Sequence, residues 1–443
     1  MKIQISDHFT YGRLIRFTLP SVGMMIFTSI YGVVDGFFVS NCVGKTQFAS
    51  INLIIPFLMI LGAVGFMIGA GGSALTAKTF GEGKPEKANR IFSLLVYIII
   101  GTGAVFTLLG QLLLEPVSRF LGASDDMLPN CIAYGRIILC SLVPFMLQNV
   151  FQSFLITAGK PTMGLVVTIS AGVSNMLLDW LFMAVFGWGI TGAAAATAIA
   201  QGVGGLVPLI YFILPNKSSL RLGRTNIDRK VIIRSCTNGS SEFMTNISMS
   251  IVSMVYNFQL MNIAGEDGVS AYGIIMYINF IFIAIFIGFS IGSAPIVGYH
   301  YGAGDTDELK NLLGKSVIIV GTLGAVLTVS AELAARPLAM IFAGYDADLL
   351  EMTVEGLRIC SMSFILCGFS IFGSGFFTAL NNGLVSAVIS FCRTLVFEIA
   401  AVLVLPLFFG IYGIWFAVVA TEVLSIMLTV FFFVKNREKY RYA

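Results

Sequence analysis

Long apolar stretches separated by short polar ones dominate the hydrophobic pattern of this chain. Each stretch is close to or above the roughly 20 residues that a helix needs to cross the hydrocarbon of a bilayer. The pattern predicts twelve spans, near residues 14–40, 48–76, 91–114, 132–157, 163–186, 191–214, 232–262, 269–299, 316–342, 357–380, 385–409 and 411–434. The fold class that follows is an all-α integral membrane protein.

The second half of the chain repeats the first. A shift of 221 residues aligns Gly71 with Gly292, Gly81 with Gly302, and Gly83 with Gly304. Matching glycines in turns and at helix ends indicate one backbone plan used twice. Because six spans is an even number, both halves start on the same side, so an axis along the membrane normal relates two parallel six-helix bundles. We predict an N-lobe over 1–214, a cytoplasmic connector over 215–230 and a C-lobe over 231–443, around a central cleft.

The charges give an orientation and a location. The chain is 57% hydrophobic and 11% charged, against about 25% charged residues in soluble proteins. If both termini face the cytoplasm, 20 of the 26 Lys and Arg residues lie on that side, five lie outside and Arg393 lies within a span. This bias satisfies the positive-inside rule. We predict a multi-pass protein of the cytoplasmic (inner) membrane with both termini inside.

Several classes of function find no support in the sequence. The net charge is +3 and no basic tract suits nucleic acid. The chain has no paired metal-ligand cluster, no nucleophile motif and no phosphate-binding loop followed by a strand–helix unit. We therefore expect no enzyme activity, no cofactor and no nucleic-acid partner; the partners that remain are the lipid bilayer and small organic molecules, and we expect a monomer.

Ionisable side chains inside spans are costly and are functional candidates. The pattern places six there, namely Asp35, Asp179, Glu242, Arg393, Glu398 and Glu422. The surplus of acids favours cations. Counted at 1.5 Å per residue from the loops, Asp35, Asn175, Asp179 and Thr197 all fall in the outer part of the first half. Their hard oxygen atoms suit Na⁺ or a shared proton; alternatively, Asn175 and Thr197 only bond between helices.

Other residues have two interpretations each. Glu242 and Glu422 lie near mid-depth, where they either face the cleft and meet a cationic substrate or, with Glu398, offer a partner to Arg393. Candidates for a pliable apolar cleft wall are Met24, Phe27, Phe145, Met146, Phe151 and Phe154; packing and lipid-facing roles are the alternative. Pro20 in the first span is either a hinge linked to protonation of Asp35 or a static kink.

The chain resembles the MATE family of multidrug and toxic compound extrusion transporters over essentially its whole length. The resemblance rests on four stretches, which are Leu19-Pro20 with Tyr31-Gly-Val-Val-Asp35, Asn175-Met-Leu-Leu-Asp179 with Gly187-Trp-Gly-Ile-Thr-Gly192-Ala and Thr197, Val297-Gly-Tyr-His-Tyr-Gly302-Ala-Gly304 with Phe80-Gly81-Glu-Gly83, and Phe409-Gly-Ile-Tyr-Gly-Ile-Trp415. The acids of the first half make it similar to the DinF/MepA-like branch. The second half lacks a clear aspartate in the tenth span, which departs from the NorM branch.

The resemblance implies antiport, in which inward H⁺ or Na⁺ drives export of amphipathic, often cationic, compounds by rocking of the two lobes. It implies a cation-coupling site at Asp35, Asn175, Asp179 and Thr197, and it matches Pro20 to the family's helix-1 proline. The alternative within the same superfamily is a flippase for lipid-linked precursors. Such proteins usually carry a cationic cleft, which the acid surplus opposes.

Overall fold

The protein is described by a computed structural model that covers residues 3–344 and 346–442, and every regular element among these residues is helical. Sixteen α-helices and two π-helical turns follow one another along the chain. The α-helices are α1 Tyr11–Cys42, α2 Lys45–Gly81, α3 Pro85–Phe120, α4 Leu128–Cys140, α5 Leu142–Thr157, α6 Pro161–Asp179, α7 Gly189–Ile213, α8 Arg229–Asn238, α9 Ser240–Ala303, α10 Thr306–Ala343, α11 Ala347–Ser361, α12 Phe364–Ala379, α13 Gly383–Phe391, α14 Glu398–Val404, α15 Pro406–Phe409 and α16 Ile411–Tyr440. The π-helical turns are Trp180–Val185 and Cys392–Phe397.

Local sequence signals explain where several helices begin. Asp228 caps α8 by accepting from the backbone N–H of Lys230 at 2.9 Å, and Asp305 caps α10 by accepting from the N–H of Glu308 at 3.0 Å. These carboxylates satisfy first-turn N–H groups that have no partner inside the helix. Pro85 favours the start of α3 for a related reason, because a proline at the first helical position has no N–H that needs a partner.

The number of spans follows from three features of the helices. In the part of the chain that the structure describes, nine helices are long and apolar enough to cross a membrane, and two bent helix pairs pass the same test together. The 64-residue α9 would be about 96 Å long if straight, but Gly265 breaks it with φ 65° and ψ −151°. Tyr256 and Tyr272 stack across this turn with centroids 4.6 Å apart. With the two arms of α9 taken separately and each bent pair as one span, twelve spans result.

Two predicted spans, 132–157 and 357–380, are broken and not continuous. The α4–α5 pair bends by 53° at Ser141, and the α11–α12 pair bends by 52° at Met362 and Ser363. Pro144 explains the first break, because its nitrogen cannot donate to the carbonyl four residues earlier. The second break has no proline, yet Met362 lies 221 residues after Ser141. The two halves therefore repeat the bend as well as the helices.

The apolar core is divided between the halves. One buried cluster runs from Val39 to Val231, and a second, formed by the later spans, extends from Val252 to Trp415 and Ala417. A third cluster combines residues 286–442 with Phe9, Leu14, Phe17 and Met24 from the start of the chain. The first part of α1 is thus packed into the second half of the molecule.

The halves meet most closely at the end that carries both termini. A Cβ atom on Gly81 would lie 1.9 Å from the carbonyl oxygen of Tyr299, and one on Gly302 would lie 2.0 Å from that of Lys78. These reciprocal contacts need glycine, since small residues let helix backbones approach. Gly83 and Gly304 end the two helices with the same φ of 72°, which L-residues rarely adopt. The interface between the halves is therefore closed at this end.

Candidate functional site

Three helices of the first half bring the four predicted cation-site residues to one region. Asp35 lies on α1, Asn175 and Asp179 lie one turn apart on α6, and Thr197 lies on α7. Asn175 and Asp179 are almost fully buried, with 2% and 0% of their surfaces exposed, whereas Asp35 and Thr197 are half-buried. The helix α6 packs against both α1 and α7.

A cavity of about 60 Å³ opens between these helices. Its walls include Asp35, Asn175 and Thr197, together with Tyr31, Gln148 and Gln201 and the smaller or apolar side chains of Phe145, Ala171 and Ala200. The space exceeds the volume of a single water molecule, so a Na⁺ ion or a few waters fit. Every polar group that faces it is neutral or acidic.

The two carboxyl groups of the site are direct neighbours without a basic partner. The side chains of Asp35 and Asp179 lie close enough for each carboxyl group to interact with the other. Oδ1 of Asp35 and both oxygens of Asp179 are buried and accept no hydrogen bond from any described residue, and no described ion pair includes either group. Two adjacent buried carboxylates repel each other unless a proton or cation lies between them. The arrangement can therefore bind one or the other.

The backbone next to the site is irregular. Asp179 is the last residue of α6, and the π-helical turn Trp180–Val185 begins directly after it. Such turns often occur at functional sites, because the extra residue re-aims side chains. Phe182 within this turn stacks on Trp188 beyond it, with ring centroids 4.8 Å apart, which packs the outer end of the span.

The sequence did not single out four polar side chains that the structure adds to this site. Tyr31, Gln148 and Gln201 line the cavity, and the buried Tyr134 on α4 is near enough to sense the charge of both carboxyl groups. Gln201 accepts a hydrogen bond from Ser141 Oγ at 2.6 Å, at the bend between α4 and α5. Tyr31 stands one helical turn before Asp35, a spacing that could have identified it.

The second half uses its intramembrane charges differently. Arg393 donates to both oxygens of Glu422: Nε lies 2.9 Å from Oε1 and 3.1 Å from Oε2, and Nη2 lies 2.6 Å from Oε1. Glu398 accepts a hydrogen bond from the Tyr256 hydroxyl at 2.5 Å. Of the two interpretations of Glu422, the structure supports the ion pair. Glu422 is therefore neutralised by Arg393 in this structure.

Glu242 occupies a different setting from the one that a continuous span predicts. A break at Gly239 separates α8 from α9, so Glu242 lies in the first turn of α9. Its side chain is half-buried, and no hydrogen bond or ion pair with a described residue involves its carboxylate. The break itself packs closely on α2, where a Cβ on Gly239 would overlap with the Met67 carbonyl oxygen. Among the described residues, Glu242 is thus an acid without a partner at the junction of the halves.

The predicted apolar cleft residues separate into two groups. Phe145 lines the cavity, and Phe27 packs on α6 at Gly172 beside Tyr31, 6.3 Å from its ring. In contrast, Phe151 is fully buried among Phe92 and Phe212. The remaining candidates are also buried and belong to packing clusters, namely Met24, Met146 and Phe154. Phe151 and these three therefore pack the interior in this conformation and do not line a cleft.

Pro20 lies in an uninterrupted α1 at the point where this helix meets α9. A Cβ on Gly288 would lie 2.5 Å from the Val22 Cα, and one on Gly292 would lie 3.1 Å from the Thr18 Cα. Because the ring of Pro20 removes one backbone hydrogen bond, α1 can bend most easily where it packs against α9. Its role as a hinge stays a prediction.

The fold and the site define a polytopic helical membrane protein with a buried acidic cavity. The MatE family profile matches residues 20–181 and 243–404, which fall in the first and second halves. The chain belongs to the MatE family of membrane transporters.

Characterised relatives and solved structures agree over nearly the full length. The multidrug export protein MepA of Staphylococcus saprophyticus is 23% identical over 422 residues, covering 94% of this chain and 93% of that protein. MepA of Staphylococcus haemolyticus is 22% identical, covering 94% and 92%. A MATE crystal structure in complex with MaL6 superposes with a TM-score of 0.93 at 20% identity, covering 98% of each chain. This similarity shows the two-lobe fold.

Proposed function

We propose that this protein is a secondary antiporter that exports amphipathic, cationic organic compounds in exchange for inward H⁺ or Na⁺. The observation that carries the proposal is the pair of neighbouring carboxyl groups of Asp35 and Asp179, which have three buried oxygens and no basic partner among the described residues. A pair of this kind binds a proton or a small cation and releases it when the environment changes. The names of the MepA relatives support multidrug export.

The coupling residues of the proposal are Asp35, Asn175, Asp179 and Thr197. The Asn175 amide and the Thr197 hydroxyl supply neutral oxygens at the wall of the same cavity, which suits Na⁺ coordination. A proton shared between the two carboxyl groups would serve equally well. Because the site lies within one half, its filling would change the packing of α1 against α6 and α7, and Pro20 would let α1 bend.

The alternating access of the proposal is a rocking of the two halves. The halves are closed on each other at the end that carries the termini, through Gly81 and Gly302. Charge bias predicts this end to be cytoplasmic. The protein would open this contact in order to load substrate from the inside and re-form it when the substrate leaves.

The flippase alternative has less support. A lipid-linked substrate carries phosphates, so its cleft needs unpaired cations within the membrane. Arg393 is the one basic residue predicted inside a span, and it is held by Glu422. No described feature of the interior offers a free guanidinium or ammonium group to a phosphate.

The proposal is tested by efflux of ethidium from loaded vesicles that contain purified protein. An inward proton gradient and an inward sodium gradient are imposed in turn. We expect the wild type to export with at least one gradient, which names the coupling ion, and Asp35→Asn and Asp179→Asn to fall to the background of empty vesicles. The control is Glu355→Gln, which removes an exposed carboxylate that bonds to Tyr412; it should export like the wild type.

Two outcomes would contradict the proposal. Wild-type protein that moves no organic cation under either gradient would exclude this antiport. If both aspartate variants export as fast as the wild type, the coupling site must lie at another acid, and Glu242 would be the first to examine.

A further inference from the structure

A pocket of about 910 Å³ lies between the start of α3 and the connector that joins the two halves. It is far from the acidic cavity and belongs to the end that carries both termini. Four of its lining side chains are cationic and two are acidic, namely Lys84, Lys87, Arg90 and Arg224 against Glu86 and Asp228. The positive-inside rule explains the sign of this end, but it does not explain a concave site that gathers these residues from two segments.

Much of the positive charge in this pocket is uncompensated. Lys84 pairs with Glu82 at 3.0 Å, and Asp228 is engaged in capping α8. The side chains of Lys87, Arg90 and Arg224 form no ion pair or hydrogen bond with any described residue. The start of α3 adds to this charge, because its N-cap residue provides no side-chain hydrogen bond and the first-turn N–H groups point out of the helix.

Hydrogen bonds hold the two walls of the pocket together. Oδ1 of Asn89 accepts from the backbone N–H of Arg221 at 2.7 Å, and Ser93 Oγ accepts from the N–H of Gly223 at 3.0 Å. Thr225 Oγ1 donates to the carbonyl oxygen of Arg90 at 3.0 Å. The connector is thereby fixed along α3, with Arg224 kept on the same pocket wall as Arg90. Repulsion between fixed cations favours an anion in the space between them.

The surroundings of the pocket are those of a membrane interface. Tyr97, which is 47% exposed, donates from its hydroxyl to the Gly223 carbonyl oxygen at 3.2 Å. Ile227 is 78% exposed and Ile233 is 62% exposed, each within a few residues of the basic cluster. Exposed apolar and tyrosine side chains beside basic residues are typical of the level where headgroups meet acyl chains. A free phosphate compound would gain nothing from these apolar neighbours.

We propose that this pocket binds the phosphate of an anionic phospholipid from the leaflet at the end of the termini, predicted to be cytoplasmic. Lys87, Arg90, Arg224 and the start of α3 contact the phosphate, while Ile227 and Tyr97 lie along the acyl chains. Bound lipid would tie the connector to the first half and so limit how far the halves separate. This site is independent of the coupling ion and of the exported compound.

The test measures lipid binding and not transport. Purified full-length protein is placed in phosphatidylcholine nanodiscs that contain phosphatidylglycerol as the minor lipid, and retained lipid is counted by native mass spectrometry after extraction. The test variant is Lys87→Gln, Arg90→Gln and Arg224→Gln combined. The matched control is Lys217→Gln, Lys310→Gln and Arg437→Gln combined, which removes three exposed charges from the same end but outside the pocket.

We expect phosphatidylglycerol affinity to fall about fivefold for each pocket charge removed, which corresponds to about 1 kcal/mol per basic residue near an anionic surface. In the control variant, the affinity should stay at the wild-type value. Equal losses in both triple variants would overturn the proposal, since binding would then reflect overall charge. Unchanged binding in the pocket variant would also overturn it. A second arm adds soluble glycerol phosphate; displacement of the lipid at comparable concentration would identify a soluble phosphate as the ligand instead.

Discussion

The two halves of the molecule share one backbone plan but treat buried charge in opposite ways. In the first half, Asp35 lies at a cavity with Asp179 near it, and no described cation neutralises either group. In the second half, Arg393 binds Glu422 through three contacts, and Glu398 receives a tyrosine hydroxyl. The position that matches Asp179 after the 221-residue shift is Ala400. Among the described residues, the acidic site of the first half has no basic partner, whereas Glu422 of the second half has Arg393.

The comparison shows that the two halves can share helix packing while they differ in buried charge. Glycine contacts and helix bends recur in both halves, because both must pack six helices in the same way. The charges do not recur, since the second half has Ala400 where the first half has Asp179. An internal guanidinium fixes a carboxylate in its ionised form, whereas an unpaired carboxyl pair can exchange its cation. In the proposed antiport, the first half would respond to the cation and the second half would be its rigid counterpart.

The largest expected effect concerns the Arg393–Glu422 pair. Arg393→Leu leaves Glu422 buried without a partner, and such a loss typically costs about 3–5 kcal/mol of stability. We expect a clear fall in the melting temperature of purified protein in detergent. The combined Arg393→Leu and Glu422→Leu variant should recover most of this loss, since replacing both members by apolar groups is often neutral. A double variant as unstable as the single one would show that Arg393 has another essential partner.

A smaller effect is expected where the halves touch. Gly81→Ala places a Cβ against the backbone of Tyr299 and Ala303, and overpacking of this kind costs about 1–3 kcal/mol. The melting temperature should fall accordingly. Gly101→Ala on α3 is the matched control, since its Cβ would meet nothing within 4 Å, and it should leave stability unchanged. Equal behaviour of the two variants would mean that the close approach of α2 and α9 contributes little.

The smallest expected effect is at the segment before α1, which crosses to the second half. Glu308 accepts from the backbone N–H of Phe9 at 2.8 Å and contacts His8 Nδ1 at 2.5 Å. Glu308→Gln weakens these charge-assisted bonds, and we expect a loss of about 1 kcal/mol with faster proteolysis before Tyr11. Asp7→Asn is the control, since Asp7 is a half-buried neighbour that accepts from the Gln4 backbone N–H instead of contacting the second half. Proteolysis that is unchanged by Glu308→Gln would contradict a role in anchoring this segment.

The periodic and global features could be predicted from the sequence. Twelve spans and two similar halves follow from apolar run lengths and from glycines such as Gly81 and Gly302, because bilayer thickness and close backbone contact impose strict requirements. The gathering of Asp35, Asn175 and Asp179 also followed from their depths and from the i, i+4 spacing on α6. The depth of a residue and its face on a helix depend only on its position within its own span, so they can be predicted from a single sequence.

Features that depend on which helix faces pack together could not be predicted from the sequence. The choice of Glu422 as the partner of Arg393 requires knowledge of which faces of α16 and the π-helical turn meet. The burial of Phe151 in an aromatic cluster gives no signal that differs from that of Phe145 at the cavity. The bend at Ser141 did have a signal in Pro144, whereas the equivalent bend at Met362 has none. The turn at Gly265 fixes the stacking of Tyr256, which in turn reaches Glu398.

The central claim is that the first half alone binds the exchanged cation, and release of that cation on substrate binding tests it most directly. Ethidium is added to purified, cation-loaded protein; protons are followed with an indicator dye and sodium with a radioactive tracer. We predict release from the wild type and from the combined Arg393→Leu and Glu422→Leu variant, and no release from the combined Asp35→Asn and Asp179→Asn variant. Release that survives the aspartate changes and disappears with the Arg393–Glu422 pair would contradict the account.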